Sequence, residues 1–158
     1  MINVVIGQSG IGKTTFVKNR WGQGKFEIKY DQPVPYTLFE SGVLLGKYNV
    51  GIRTEGTDTL SYSAIPKILD TIDALYPLYN IGVEGDRINN SRFFQHLISK
   101  NYSVKLYFLD GDLSISYKRL RNAGSNISES FIKTTKTKSS NNFLKYGGFF
   151  KGVRICVE

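Results

Sequence analysis

Short apolar runs alternate with segments of helical period along the whole 158-residue chain. The first run, Ile2–Ile6, precedes a glycine-rich stretch, and Thr15–Arg20 then has the make-up of a short helix ending near Trp21-Gly22. KFEIKY (25–30) reads as a second strand, closed by Asp31 and the turn-forming Gln32-Pro33. Residues 36–54 alternate apolar and polar positions, with glycines at 42, 46 and 51. That pattern predicts an irregular, hairpin-like insertion, taken to about residue 62. RTEGTDTLSYS (53–63) reads as an ordered loop before a helix at roughly 65–75, where Ile65, Ile68, Leu69, Ile72 and Leu75 share a face and Pro66 fits the first turn.

YNIGVEGD (79–86) is an apolar strand ending in acid, followed by a helix at about 91–100 with Phe94, Leu97 and Ile98 inward. VKLYFL (104–109) is a strand bounded by Asp110, and Asp112 is placed to cap a helix over 114–122. The polar stretch 123–142 contains a short helix capped by Ser128, and Val153–Val157 forms a closing strand. Strands alternating with helices predict an α/β fold in three layers: a mainly parallel sheet of about five strands with helices on both faces, as one domain over 1–158. Ligands of such sheets gather beyond the carboxyl ends of the strands. Asp31, Glu84 and Asp110 are all expected on that rim.

GQSGIGKTT (7–15) stands directly after the first strand. From Gly7 to Thr14 the spacing is G-x-x-x-x-G-K-[ST], the phosphate-binding loop, and the strand before it and helix after it are the context that motif requires. The curled backbone of Gly7, Ser9, Gly10, Ile11, Gly12, Lys13, Thr14 and Thr15 points N–H groups at an anion. Lys13 reaches the β- and γ-phosphates, the Thr14 hydroxyl holds Mg²⁺, and the following helix turns its positive end to the same phosphates. ATP or GTP is the expected ligand.

Charge changes the picture of what else binds. Residues 1–112 carry 12 Lys/Arg against 11 Asp/Glu, whereas 113–154 carry 9 Lys/Arg against Glu129 alone. A basic block of this size needs an anionic partner or solvent; the surplus over what a nucleotide lid uses points to nucleic acid, and a solvated face is the alternative. Cys156, the single cysteine, is expected to be a buried structural thiol with no internal disulfide. No apolar stretch approaches membrane-spanning length and the first strand begins at once, so no membrane partner and a cytoplasmic location are expected. His96 has no Cys/His cluster around it and is expected at the surface or the core edge. Of the twenty-one aromatics most are expected in the core; Tyr36, Phe39, Tyr48 and Tyr62 near the insertion are the candidates for stacking.

Several acids compete for the chemistry. Glu84 can hold the magnesium shell or accept a proton from an attacking hydroxyl; otherwise it pairs with Arg87 or a loop N–H. Asp58, among Thr57, Thr59 and Tyr62, is a candidate general base or the cap of the next helix, and Asp31 competes for the same catalytic role. Arg119 and Arg121 lie at a helix end leading into a mobile-looking segment, and a lid is expected over about 119–142. On a helix those two arginines point some 200° apart at roughly 100° per residue, so one of them can be solvated. Lys133, Lys136 and Lys138 beside hydroxyls and amides suit a phosphodiester backbone, or else a disordered loop.

GQSGIGKT, LLGKYN, EGTDTLSYS, VEGDRINNSRFF, RLRNAGSN and KTTKTKSSNN together resemble the bacteriophage P-loop kinases, over residue 1 to about 145. Some members of that family, associated with thymidine hypermodification, phosphorylate 5-hydroxymethyluracil within DNA. The resemblance implies an ATP- and Mg²⁺-dependent kinase of that type, acting in the cytoplasm of a bacteriophage's host, and implicates Asp58, Glu84, Asp86, Arg87, Arg119, Arg121, Thr137 and Lys138. In the resulting reading, MgATP sits on Gly7–Thr15 and a flipped base offers its hydroxymethyl group beside Glu84–Asp86. Tyr62, Asp86, Arg87, Lys136, Thr137 and Lys138 contact the DNA acceptor, and Thr14 and Glu84 hold the metal. The alternatives are a kinase of free nucleosides or nucleoside monophosphates, and a nucleotide-gated module without transfer activity.

Overall fold

The computed structural model describes residues 1–51 and 55–158. The strand and helix signals resolve into β1 (Ile2–Gly7), α1 (Lys13–Trp21), β2 (Phe26–Lys29), β3 (Tyr36–Phe39), β4 (Gly42–Leu45), α2 (Ile65–Leu75), β5 (Ile81–Glu84), α3 (Ser91–Ser99), β6 (Val104–Asp110), α4 (Leu113–Asn122), α5 (Glu129–Tyr146) and β7 (Val153–Cys156). Two 3₁₀ turns, Thr57–Thr59 and Tyr62–Ala64, lead into α2. The start of the loop expected over 53–63 lies outside the described residues.

One sheet runs in the order β2-β3-β4-β5-β1-β6-β7, with seven strands rather than about five. The difference is the expected insertion. Its alternating residues do make an antiparallel hairpin, β3–β4, but β4 pairs in parallel with β5 and β2 pairs with β3, so the hairpin extends the central sheet. Only β3 runs against the rest. β1, fully buried, lies between β5 and β6. The chain therefore leaves β1 toward one side of the sheet and later returns to the other, so the loop after β1 opens at the switch point where such sheets bind ligands.

Helices cover both faces. Ile68 and Ile72 of α2, Phe93, Phe94 and Leu97 of α3 and Tyr146 of α5 pack on one face against Ile2, Val4 and Ile6. Val17 of α1 and Ile115 of α4 pack on the other with Val5, Tyr107 and Leu109. Asn90 caps α3 by accepting from the Phe93 N–H at 3.0 Å, worth about 1 kcal/mol. Asp112 stands at the N-cap of α4 but makes no side-chain capping bond.

The largest departure is the segment 123–142. Only its first few residues are irregular; from Glu129, capped by Ser128 as expected, it forms one 18-residue helix. Ile132, Thr135, Ser139 and Tyr146 are its buried face. Two of those four positions are polar, and this weak apolar stripe is why the sequence pattern predicts only a short helix there. Cys156 is exposed, because β7 is an edge strand rather than a covered one. His96 does have a partner: its Nε2 lies 2.9 Å from Asp73 Oδ1, which also accepts from the Tyr102 hydroxyl at 2.7 Å, tying α2 to α3. Among the described residues no helix is long and apolar enough to cross a membrane.

Candidate active site

The loop between β1 and α1 is closed by Gly12, whose φ of 105° is accessible to glycine and strained for other residues. Lys13 begins α1, is 9% exposed, and folds its Nζ back onto the carbonyls of Gly7 (3.1 Å) and Gln8 (3.0 Å). Thr14 turns its hydroxyl across to the end of β5, where it donates to Glu84 Oε1 at 3.0 Å. Thr15 is exposed at the mouth.

Glu84 is almost completely buried and accepts a second bond on the same oxygen, from the Tyr48 hydroxyl at 2.9 Å. Burial raises its pKa to about 7; neighbouring Asp58 adds to the rise, while Lys13, Tyr48 and Thr14 oppose it. The Tyr48 phenol is in turn held well above its ordinary range, first by burial and then by the Glu84 carboxylate. The glycine of EGTD explains how the tyrosine and the acid come together. A Cβ at Gly56 would lie 2.5 Å from both Glu84 Oε1 and the Tyr48 oxygen. Tyr48 therefore belongs to the site as a hydrogen-bond donor. Together with Tyr36 and Phe39, which are also buried, it is no stacking platform.

Asp58 sits in the first 3₁₀ turn, not at the cap of α2. Its Oδ1 accepts the backbone N–H of Asp86 at 2.9 Å and lies 3.6 Å from Arg87 Nη1. Arg87 donates Nε to the Leu60 carbonyl at 3.0 Å and places its guanidinium carbon over the exposed Tyr62 ring, 3.9 Å from the centroid. Tyr62 donates its hydroxyl to Asp86 at 3.1 Å, and Lys138 from α5 pairs with the other oxygen of Asp86 at 3.0 Å. Arg87 thus pairs with Asp58, and Glu84 is left to Thr14 and Tyr48.

Two cavities meet here. A cavity of about 720 Å³ is lined by Ser9–Phe16 together with Glu84, Arg119, Ile155 and Val157. A second, of about 410 Å³, lies between Asp58, Tyr62, Asp86 and Arg87 on one side and Ile127, Phe131 and Thr135 on the other. Ser9, Lys13 and Asp58 line both.

Other expected residues fall elsewhere. Asp31 is exposed past the end of β2, the edge strand three places from β5 in the sheet, and lines neither cavity. It instead faces Tyr36, whose phenol is pushed up to about 12 by burial and by its hydrogen bond to Asp31. Asp110 holds Lys136 and Arg154. Arg119 enters the larger cavity and donates to the Ile11 carbonyl at 2.8 Å. Arg121 turns away, donates Nη2 to the Ile127 carbonyl at 3.0 Å and stacks on Tyr117. Lys136 is bonded to the Gly111 carbonyl at 2.7 Å, and Thr137 is exposed on α5 with its hydroxyl bonded to the Lys133 carbonyl. Two of the lysines expected to meet phosphodiesters are therefore paired to internal acids. Among the described residues no group of three or more His, Cys, Asp or Glu is placed to hold a metal.

No protein-family model and no curated protein matches the sequence. Solved structures do. The chain is similar to a gluconokinase from Sinorhizobium meliloti (15% identity, TM-score 0.54, 98% of this chain and 81% of that one). It is also similar to the tunicamycin resistance protein of Deinococcus radiodurans (17%, 0.53, 97% and 84%). A third is the deoxyadenosine kinase of M. mycoides with bound dATP (11%, 0.51, 99% and 91%). At these identities the likeness is one of fold: the α/β fold of the P-loop kinases, with a mostly parallel central sheet.

Proposed function

We propose that this chain is a P-loop phosphotransferase that moves the γ-phosphoryl group of ATP onto a hydroxyl group held in the 410 Å³ cavity. We further propose that the hydroxyl is the hydroxymethyl group of a modified pyrimidine, 5-hydroxymethyluracil, presented by DNA. The observation that carries the phosphotransfer reading is the meeting of the two cavities at Lys13 and Asp58, a cation and a carboxylate, which is where phosphoryl transfer needs charge neutralisation and a proton acceptor.

In this reading the triphosphate lies along Ser9–Thr15 at the amino end of α1, and Lys13 exchanges its bonds to the Gly7 and Gln8 carbonyls for phosphate oxygens. Thr14 and Glu84 fit a magnesium ion, since that ion takes one or two protein oxygens and fills the rest of its shell with phosphates and water. When bound it neutralises charge on the transferring phosphate. Asp58, rather than Asp31 or Glu84, is the base. It faces both cavities, and its Oδ1 is held by the Asp86 N–H, while among the described residues no hydrogen bond engages its other oxygen. The acceptor oxygen bonds to the γ-phosphorus as the bond to the β–γ bridging oxygen breaks; its proton goes to Asp58, and ADP leaves. Arg119 neutralises charge from the lid side.

The acceptor cavity supports a ring-bearing substrate, with Tyr62 and Phe131 as flat apolar faces and Ser128 as a hydroxyl partner. A base inside a duplex cannot reach it, so a DNA acceptor is flipped out at a cost of a few kcal/mol. The commitment of Lys136 and Lys138 to Asp110 and Asp86 favours a second reading, in which the acceptor is a free nucleoside or nucleoside monophosphate. Incubation with γ-labelled ATP and oligonucleotides bearing thymine or hydroxymethyluracil, beside the matching free nucleosides and monophosphates, tests both. Label only on the hydroxylated oligonucleotide is the expected result. Label on free acceptors alone moves the assignment to the second reading, and label on none removes the phosphotransferase assignment.

A further inference from the structure

The front edge of the phosphate loop is clamped from two sides by helices that follow it more than a hundred residues later in the chain. Gln8, fully buried, donates Nε2 to the Asp112 carbonyl (3.1 Å) and to Ser116 Oγ (3.0 Å) of α4. One residue on, the backbone N–H of Ser9 donates to Thr135 Oγ1 of α5 at 2.9 Å.

Thr135 is 3% exposed and its own hydroxyl proton goes to the Ile132 carbonyl at 2.9 Å. The oxygen therefore offers Ser9 a lone pair in a fixed direction. The helix is pinned on either side of it: Ile132 is buried one turn before, and Ser139 one turn after accepts Asn89 Nδ2 at 2.9 Å. Thr135 lines the smaller cavity, and Ser9 lines both. The Ser9–Thr135 bond thus ties the wall of the smaller cavity to a residue that lines both.

We infer that Thr135 is a positioning residue for phosphoryl transfer, acting through the Ser9 backbone to hold the front of the loop in register with the acceptor cavity. The inference rests on the phosphotransferase reading of the site. A shift of about 1 Å in a group near reacting atoms costs on the order of 10²-fold in rate, whereas a hydroxyl that only supports the fold changes stability and leaves the partition of the phosphoryl group alone.

Two substitutions in the full chain separate these roles. Thr135→Val keeps the side-chain shape and removes the acceptor; Thr135→Ser keeps the acceptor. With Mg²⁺ and ATP, and the hydroxymethyluracil oligonucleotide or nucleoside as acceptor, Thr135→Val is expected to lower kcat for transfer roughly 10- to 100-fold while KM for ATP stays within about 3-fold. The share of ATP lost to water rises, and Thr135→Ser restores kcat to within about 3-fold of the unsubstituted chain. In the nucleotide-free protein, NMR-detected amide exchange at Ser9 is expected to accelerate at least about tenfold in Thr135→Val and not in Thr135→Ser.

Unchanged kcat and Ser9 exchange in Thr135→Val overturn the inference, as does a kcat loss that Thr135→Ser shares. An unsubstituted chain that phosphorylates no acceptor removes the phosphotransferase reading and this inference with it. Transfer that proceeds normally in Thr135→Val removes only the inference.

Discussion

The two cavities that share Ser9, Lys13 and Asp58 are built in opposite ways. The larger draws half of its lining from one continuous stretch, Ser9–Phe16, and its two cationic side chains rest on backbone: Lys13 on Gly7 and Gln8, Arg119 on Ile11. The smaller is assembled from side chains far apart in the chain and locked to one another: Asp58 with Arg87, Asp86 with Tyr62 and Lys138. A carbonyl releases a lysine to a phosphate at little cost, because another charge-assisted bond replaces the one given up. Breaking a partly buried ion pair leaves a charge unpaired. Under the proposed function, the first cavity thus suits a ligand common to many proteins, and the second one particular acceptor.

The deepest cut into that contrast is a pair of substitutions on its shared wall. Asp58→Asn is expected to lower phosphoryl transfer by about 10²–10⁴-fold, the usual worth of a general base, with ATP binding unchanged by calorimetry. Lys13→Ala is expected to weaken ATP binding itself and to cost transfer about 10²–10³-fold. Equal loss of ATP affinity in the two variants would erase the distinction between the cavities.

Next in size is a pH effect from the acid buried at the larger cavity. Glu84 binds its proton more tightly folded (about 7) than unfolded (ordinarily 4.5). Below both values the group is protonated in either state and its full contribution is present. Between them the unfolded chain releases the proton first, so stability falls as pH rises and levels off above 7. A shift of this size corresponds to about 3 kcal/mol. Denaturant titrations of the nucleotide-free protein should show that decline between pH 4.5 and 7, and Glu84→Gln should flatten it. A decline that Glu84→Gln leaves intact would assign the effect to another group.

The smallest effect separates the two arginines in the last turn of α4. Arg119→Ala should reduce transfer roughly 10- to 100-fold, and Arg121→Ala should leave it within about 3-fold, since only Arg119 enters the cavity. Steady-state rates for the two variants check this directly.

Much of the larger cavity was legible along the chain. Glycine spacing, a lysine and a hydroxyl residue are local chemistry, and α1, α2, α3 and the ends of β5 and β6 fall close to where periodicity places them. The misses share one cause, long-range pairing. Tyr48 looks like a stacking aromatic until Glu84 is found 2.9 Å from its hydroxyl, thirty-six residues later. Lys136 and Lys138 look like free cations until Asp110 and Asp86 are found beside them. The helix capped by Ser128 reads as short within the polar stretch 123–142 because half of the buried face of α5 is hydroxyl, satisfied by Ser9, Asn89 and a neighbouring carbonyl rather than by apolar packing. A glycine between the tyrosine and the acid was the one available clue, and its meaning depends on what approaches it.

By itself the sequence determined an alternating α/β chain with a glycine-rich loop of phosphate-loop spacing at its first turn, because apolar period and glycine conformation act over a few residues. Only the tertiary structure decided which charges remain free, which acid faces both cavities, and that a hairpin widens the sheet instead of leaving it. Those outcomes depend on the desolvation and pairing of groups tens of residues apart, and no local pattern encodes such distances.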